Sequence, residues 1–370
     1  MVQYLNYLLL IIIHQVFSLE KIIKTEYDEI RGQFFLALNI TVFNTSVYLN
    51  IDLQKPYTWL SLYLIDSSEL ESLESLGREQ IQLSNDNKKE EALISTSSFI
   101  FRDNNISINN LYFYFIRKNL LNNKDSLGLS PSSNNNFSFL YRMKEEGLIN
   151  ALSFGFGPHE QSSRKGYLYF GGLPSSYRKS LNKGSCKINI RNNQWGFFIE
   201  SINVKEHYYN IDKKSNFGII VTDSPYILVP KSFMYFLYQY YFEYLFSIGY
   251  CQKTTKEIYC FANYMELLPK LSIKLDRTEL IISPRQLFRA EFEFCTFLIR
   301  VNENNDKWIF GNSFIKAFTI LFDYTKEEIV FYGKDNVKGT NTNCLLLLYL
   351  IIIFMLLLNI LLLITKIKYS

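Results

Sequence analysis

The sequence predicts an all-β protein built from two related lobes. From Gly32 onward, short segments that alternate apolar and polar residues follow one another with Asn- and Ser-rich turns between them, which is typical of strands and hairpins. One turn occurs twice, because Pro56-Tyr57 and Pro225-Tyr226 lie 169 residues apart and each is flanked by apolar residues. A repeated turn indicates a repeated unit, and 370 residues fit two lobes of ordinary domain size.

The two ends of the chain predict a membrane-anchored protein of the secretory pathway. Residues 1–18 contain an apolar run and then compact residues, which is typical of a cleaved signal peptide. Residues 335–344 form a short stalk, residues 345–364 are apolar over the length of a transmembrane helix, and the lysines in residues 365–370 favour a cytosolic tail. We expect a single-pass type I protein of the secretory pathway or cell surface. A cleaved glycolipid-anchor signal is the alternative.

The composition excludes several other classes of function. The net charge of +4 is small and no basic run is interleaved with aromatic residues, so we expect no nucleic-acid partner. The three histidines are too few and too far apart for a zinc site, and no glycine-rich phosphate loop is present, so we expect no metal and no cofactor. Four sequons predict N-glycosylation, at Asn39, Asn44, Asn105 and Asn136.

The elements can be predicted in order along the chain. Residues 33–43 and 45–51 predict a hairpin, residues 84–91 a solvated loop, and residues 93–116 further strands. Residues 139–149 predict one short helix. After the second Pro-Tyr turn, residues 231–248 carry Phe, Tyr and Leu at helical spacing, which predicts a helix with one buried face. Residues 318–332 predict a terminal hairpin.

In order and spacing, these segments resemble the pepsin-like aspartic proteases (peptidase family A1) over about residues 32–333. Residues 126–129 and 308–312 resemble the two segments that pack against the catalytic turns of that family. Residues 166–172 are similar to its strand before the lobe junction. The resemblance implies a bilobal pepsin-like (acid protease) fold with few short helices, an N-terminal lobe over 19–184 and a C-terminal lobe over 185–334. We expect a monomer.

The resemblance also implies a disulfide in the second lobe. Cys260 and Cys295 flank the segment that the family's second-lobe disulfide closes, so we expect these two residues to be paired. The sequence leaves open whether Cys186 pairs with Cys251.

The family's chemistry requires two carboxylates that share a proton, one acting as general base on a water molecule and the other as general acid. Asp52 lies seven residues before Trp59, as the family's first aspartate lies before its tryptophan, so Asp52 is the candidate first carboxylate. Asp52 is followed by Leu53-Gln54, where the family has Thr-Gly or Ser-Gly. A side chain therefore stands where glycine normally lets the backbone approach.

The second half departs further from the family pattern. Counting back nine residues from Pro230, the family spacing, reaches Val221, and the shared Pro-Tyr turn supports this ungapped match. Valine cannot ionise. Asp223 could serve as the second carboxylate only if the turn were two residues shorter.

The family's cleft lid also has no clear counterpart. That lid is a hairpin with a tyrosine before a glycine-rich tip, yet no tyrosine stands between Tyr63 and Tyr112, and the candidate tip lies near Asn85. These departures favour a pseudoprotease that binds a protein or peptide in its cleft. An active aspartic endopeptidase with Asp52 and Asp223 as its dyad is the alternative, and a structural surface protein with a filled cleft is a third hypothesis.

Overall fold

The computed structural model describes residues 21–29, 36–42, 45–61, 77–82, 89–101, 106–116, 125–130, 137–159, 162–188, 194–212, 215–254, 257–303 and 306–339. Within these ranges, no helix is long and apolar enough to cross a membrane. The expected signal peptide (1–18), the apolar segment 345–364, and the sequons at Asn44, Asn105 and Asn136 lie outside the described residues. At the remaining sequon, the Asn39 carboxamide oxygen accepts a hydrogen bond from Ser46 Oγ at 2.7 Å.

The described strands of the first half are β1 Ile23–Glu29, β2 Leu36–Val42, β3 Thr45–Asp52, β4 Trp59–Ser61, β5 Gly77–Gln82, β6 Lys89–Phe101, β7 Ile106–Ile116, β8 Ser126–Gly128, β9 Ser153–His159 and β10 Ser162–Phe170. Those of the second half are β11 Asn182–Lys187, β12 Gly196–Phe198, β13 Ser201–Val204, β14 His207–Asn210, β15 Phe217–Ile220, β16 Ile227–Val229, β17 Cys251–Lys253, β18 Ile258–Phe261, β19 Leu271–Leu275, β20 Thr278–Ile282, β21 Phe288–Glu291, β22 Phe294–Phe297, β23 Ile299–Val301, β24 Trp308–Phe310, β25 Thr319–Asp323, β26 Glu328–Gly333 and β27 Val337–Gly339.

Helices are few and short, as the sequence predicts. The described α-helices are α1 Phe139–Glu145, α2 Ser175–Ser180, α3 Lys231–Leu237, α4 Glu243–Ser247, α5 Pro284–Leu287 and α6 Asn312–Ile315. A π-helical turn, Tyr238–Phe242, joins α3 to α4, and a 3₁₀ helix spans Ala262–Leu267. The predicted helix over 231–248 is confirmed, and its buried side chains fall at helical spacing: Phe233, Met234, Leu237, Tyr241, Phe242 and Leu245.

One large sheet connects the two halves of the chain. Its thirteen strands run in the order β11-β26-β25-β9-β10-β1-β2-β3-β8-β4-β7-β6-β5. The predicted terminal hairpin is confirmed as β25 and β26, and β25 pairs with β9 of the first half. Strand β1 pairs with β10 on one side and β2 on the other, so the N-terminal segment is an integral strand of this sheet.

The remaining strands of the second half form three smaller sheets. Two have five strands, in the orders β12-β15-β24-β16-β23 and β14-β13-β19-β20-β27. The third has four strands, in the order β17-β18-β22-β21.

The repeat inferred from the two Pro-Tyr turns is present in the strand register. In the first half β3 pairs in parallel with β8, with Ile51 opposite Leu127, and in the second half β15 pairs in parallel with β24, with Ile220 opposite Phe310. In each half, the second strand of the parallel pair also has an antiparallel partner. Strand β8 pairs with β4, and β24 pairs with β16. The same three-strand arrangement is therefore built twice.

Aromatic side chains fill the junction between the halves. Phe154 of β9 stacks on Phe322 of β25 with ring centroids 4.8 Å apart, and Trp195 packs edge-on against both rings. The Trp195 indole Nε1 donates a hydrogen bond to the Leu129 carbonyl at 2.8 Å, so a buried polar group finds its partner in the other half.

The expected disulfide is wrong in its pairing. The structure bonds Cys251 to Cys260, whereas Cys295 and Cys186 are buried free thiols. Strand order explains how a different pairing is possible, because β18 lies between β17 and β22 and Cys260 has a cysteine opposite it on each side.

Candidate functional site

Two glycines show which residues of the two turns are equivalent. A Cβ on Gly128 would overlap the Tyr57 carbonyl oxygen and lie 2.7 Å from the Lys55 carbonyl oxygen. A Cβ on Gly311 would overlap the carbonyl oxygens of Ser224 and Tyr226, which occupy the same places in the second turn. Only glycine allows the turn to pack this closely on the following strand.

This equivalence fixes the residue that corresponds to Asp52. Lys55 and Ser224, like Tyr57 and Tyr226, are 169 residues apart, and the same spacing from Asp52 reaches Val221. The strand ladders agree, since Ile51 and Ile220 hold matching positions in their parallel pairs. The structure thus places Val221 where the second carboxylate of the resembled family would stand.

The Asp52 carboxylate is held in place by its own turn. Its Oδ1 accepts hydrogen bonds from the backbone N–H groups of Gln54 at 2.7 Å and Lys55 at 3.2 Å. Burial raises the pKa of Asp52 above its ordinary value, and these hydrogen bonds and the Lys55 ammonium act in the opposite direction. Asp52 is therefore a fixed carboxyl group whose charged form is disfavoured by its surroundings.

Val221 is buried and apolar, with 1% of its surface exposed. The next residue connects the lobes, because Thr222 Oγ1 donates a short hydrogen bond to the Ile51 carbonyl oxygen, immediately before Asp52. The equivalent of Thr222 in the first turn is Leu53, whose buried side chain has no hydroxyl group to return such a bond. The threonine side chain of the second turn therefore donates a hydrogen bond to the first turn, and the Leu53 side chain of the first turn donates none in return.

Asp223 lies two residues beyond the equivalent position, and the structure brings it near Asp52. Solvent reaches its side chain, yet enough protein surrounds the carboxyl group to disfavour its charged form. Burial and then the charge of Asp52 raise the pKa of Asp223 to about 6, and Lys55 lowers it. The two carboxyl groups thus interact electrostatically, although they do not occupy equivalent positions.

The lid region is only partly described. Strands β5 and β6 form a hairpin, while its tip at residues 83–88 lies outside the described residues. At the base of this hairpin the Tyr114 hydroxyl donates a hydrogen bond to Glu79 at 2.6 Å, and the Tyr114 ring packs edge-on against Tyr57 and stacks on Phe137 at 4.7 Å. No local sequence pattern predicts this cluster, because its members include residues of β5, β7 and the first Pro-Tyr turn.

The second lobe carries a related cluster built from different side chains. Tyr226, the equivalent of Tyr57, lies under the Arg300 guanidinium with its ring centroid 3.6 Å from Cζ. Arg300 in turn forms a short ion pair with Glu257. In each lobe, the tyrosine of the Pro-Tyr turn thus packs against a residue that binds a glutamate.

Thr222 and Lys55 are two further site residues that were not predicted from the sequence. The available signal for Thr222 was its position directly after Val221, where the resembled motif has Thr or Ser. Lys55 follows Asp52 by three residues, but its influence on Asp223 depends on the approach of the second lobe and has no local signal.

The arrangement cannot support the family's reaction at the two equivalent positions. A general base and a general acid must face each other there, and Val221 offers neither a proton nor a proton acceptor. What remains where the two turns meet is one fixed carboxyl group, a second carboxyl group displaced by two residues, and one ammonium group. These groups can form hydrogen bonds and ion pairs with polar groups.

Comparisons with solved structures support the fold. Conglutin gamma, a basic 7S globulin from lupine seeds, matches with a TM-score of 0.67 and 12% identity over 85% of this chain and 95% of that one. The basic 7S globulin from soybean matches with a TM-score of 0.66 and 12% identity, with the same coverage. No curated protein sequence matches the chain. At this identity the likeness shows the fold alone.

A sequence profile shows the family directly. The profile described as "Eukaryotic aspartyl protease" matches residues 120–332, which is more than half of the 370-residue chain. The match spans the strand β8 that packs on the first turn, the whole second turn and the terminal hairpin. With its doubled three-strand arrangement and its pepsin-like fold, the chain belongs to the eukaryotic aspartyl protease family.

Proposed function

We propose that this protein is a catalytically inactive member of its family, a pseudoprotease that binds a protein or peptide in the cleft between its lobes. The observation that carries the proposal is the equivalence of Asp52 and Val221, which directly follow the matching ladder residues Ile51 and Ile220. A buried valine removes half of the acid–base pair, whereas the fold that forms the cleft is retained. The apolar segment 345–364 anchors the protein, as a monomer, in a membrane of the secretory pathway or cell surface.

The first experiment measures proteolysis. Full-length protein, solubilised in detergent, is incubated at acid pH with a mixture of peptides, with and without the aspartic protease inhibitor pepstatin. We expect no pepstatin-sensitive cleavage by the wild-type protein. Pepstatin-sensitive cleavage that disappears in Asp52→Ala would refute the proposal.

The second experiment measures binding. The wild-type protein should retain a subset of an immobilised peptide library, and Asp223→Trp should lose these peptides because the large side chain stands on the cleft floor. Asp212→Trp is the matched control, since Asp212 is likewise an aspartate whose side chain solvent reaches, but it lies in the connection after β14, a strand at the edge of its sheet. Equal retention by both variants would mean that the peptides bind elsewhere.

One observation favours a second candidate function, an active endopeptidase that uses Asp52 and Asp223. The Asp52 charge contributes to the raised pKa of Asp223, as expected for two carboxyl groups that share a site. This candidate predicts cleavage that is lost equally in Asp52→Ala and Asp223→Ala. Its rate should fall as the pH rises through about 6, where Asp223 loses its proton.

A further inference from the structure

Three cysteines stand side by side on three adjacent strands of the second lobe. Cys251 of β17 is directly opposite Cys260 of β18, and Cys260 is directly opposite Cys295 of β22. Directly opposed residues in antiparallel strands point to the same face of the sheet. The three sulfur atoms are therefore on one face, with that of Cys260 in the middle.

Both neighbours of Cys260 are within reach of a disulfide. Cys251 is bonded to Cys260 with their Cα atoms 4.0 Å apart. Cys295 is opposed to Cys260 across the β18–β22 ladder. Residues opposed in this way have Cα atoms about 4.5–5.5 Å apart, which lies within the usual range for disulfides of about 4.4–6.8 Å. The Cys295 thiol already contacts Cys260, because its Sγ donates a hydrogen bond to the Cys260 carbonyl oxygen at 3.3 Å.

We propose that Cys251, Cys260 and Cys295 form a disulfide-exchange site, in which Cys260 alternates between a bond to Cys251 and a bond to Cys295. In the exchange, the Cys295 sulfur loses its proton and attacks Cys260 Sγ. The Cys251–Cys260 bond breaks as the Cys260–Cys295 bond forms, and the Cys251 sulfur leaves as a thiolate and takes up a proton. The number of disulfides and the number of thiols do not change, so no external oxidant or reductant is needed.

A nearby hydroxyl group supports this arrangement. The Tyr241 hydroxyl is buried without a hydrogen-bond partner among the described residues. Burial, and then the charge of Cys295, raise the pKa of Tyr241, so the phenol keeps its proton and lies close enough to feel a charge on that sulfur. A protonated phenol can donate a hydrogen bond to a thiolate, so the unpartnered Tyr241 hydroxyl is an available donor near Cys295.

The two pairings constrain different parts of the second lobe. The Cys251–Cys260 bond closes a short hairpin with a sequence separation of 9 and ties the edge strand β17 to β18. The Cys260–Cys295 bond instead ties β18 to β22 and removes the covalent link between β17 and β18. Strand β17 follows Tyr250, whose ring stacks on Tyr264 at 3.8 Å, so the exchange changes the covalent restraint on an edge strand that noncovalent contacts also hold.

The test is disulfide mapping of the full-length protein. Free thiols are trapped by alkylation in acid under denaturing conditions, and the peptides are identified by mass spectrometry. In the wild-type chain we expect two populations, one with Cys295 alkylated and one with Cys251 alkylated. The Cys295→Ser variant should contain only the Cys251–Cys260 bond. The Cys251→Ser variant, folded in a glutathione redox buffer, should contain the Cys260–Cys295 bond.

Cys186→Ser is the matched control, because Cys186 is also a buried thiol but lies in β11 of another sheet, with its Sγ 3.8 Å from the Ile329 carbonyl oxygen. It should leave both populations unchanged. A single pairing in the wild-type chain, whichever it is, overturns the proposal. The measurement on the wild-type chain therefore decides the proposal, whether or not the variants fold.

Discussion

Replacing Thr222 by valine tests how the two Pro-Tyr turns are held together. Thr222 is 2% exposed, and its hydroxyl donates the hydrogen bond that reaches the Ile51 carbonyl oxygen across the lobe interface. Valine keeps the shape of the side chain but cannot donate. The substitution therefore removes one buried hydrogen bond and leaves a buried carbonyl oxygen without this donor.

The expected loss is about 1–3 kcal/mol of unfolding free energy, the usual cost of a buried polar group that loses its partner. Thr58→Val is the matched control. Thr58 is also fully buried, at 0% exposure, but within the described part of the chain its hydroxyl has no hydrogen-bond partner. Removing that hydroxyl should leave the stability unchanged or raise it, because no bond is lost and a desolvated polar group disappears.

The assay is equilibrium unfolding in guanidinium chloride, followed by tryptophan fluorescence. The three tryptophans, Trp59, Trp195 and Trp308, are all buried and report on the first lobe, the junction and the second lobe. We expect Thr222→Val to lower the midpoint without a change in slope. Equal midpoints for Thr222→Val and Thr58→Val would refute the view that Thr222 links the turns.

Two further predictions concern titration and close packing. Asp125 and Asp223 both have a pKa raised to about 6, chiefly by burial, so their contribution to stability is complete below their ordinary value near 3.8 and is lost as the pH rises through about 6. Asp125→Asn should flatten this decline in thermal unfolding midpoints measured across that interval, and an unchanged decline would contradict the assignment. Gly311→Ala should cost about 3 kcal/mol or more, because its Cβ overlaps backbone oxygens that cannot move aside. Gly249→Ala, which meets no neighbour but has a φ of +75°, should cost only about 1–2 kcal/mol in the same denaturation assay.

Much of the fold could be predicted because its signals are local. Alternation of apolar and polar residues identifies strands, and the helical spacing of residues 231–248 identifies the one long helical segment. The shared Pro-Tyr gave the equivalence of the two turns without gaps. The packing of Gly128 and Gly311 requires the same equivalence, since each must sit on the turn of its own lobe.

The disulfide could not be predicted because it depends on the order of strands across a sheet. Cys260 can reach either Cys251 or Cys295, and sequence separation alone does not decide between them. The clusters of Tyr114 with Glu79 and Arg300 with Glu257 were missed for the same reason. Their partners lie 35 and 43 residues apart, and meet only after the sheets have formed.

By itself, the sequence determined the repeat, and with it the absence of a carboxyl group at Val221, because the identity of a side chain at a repeated position needs no coordinates. The tertiary structure decided how the two turns meet. Thr222 reaches Ile51 from 171 residues away, and Asp223 comes close enough to Asp52 for their charges to interact. These contacts form across the lobe interface, where the approach of two folded units, and no local pattern, sets the distances.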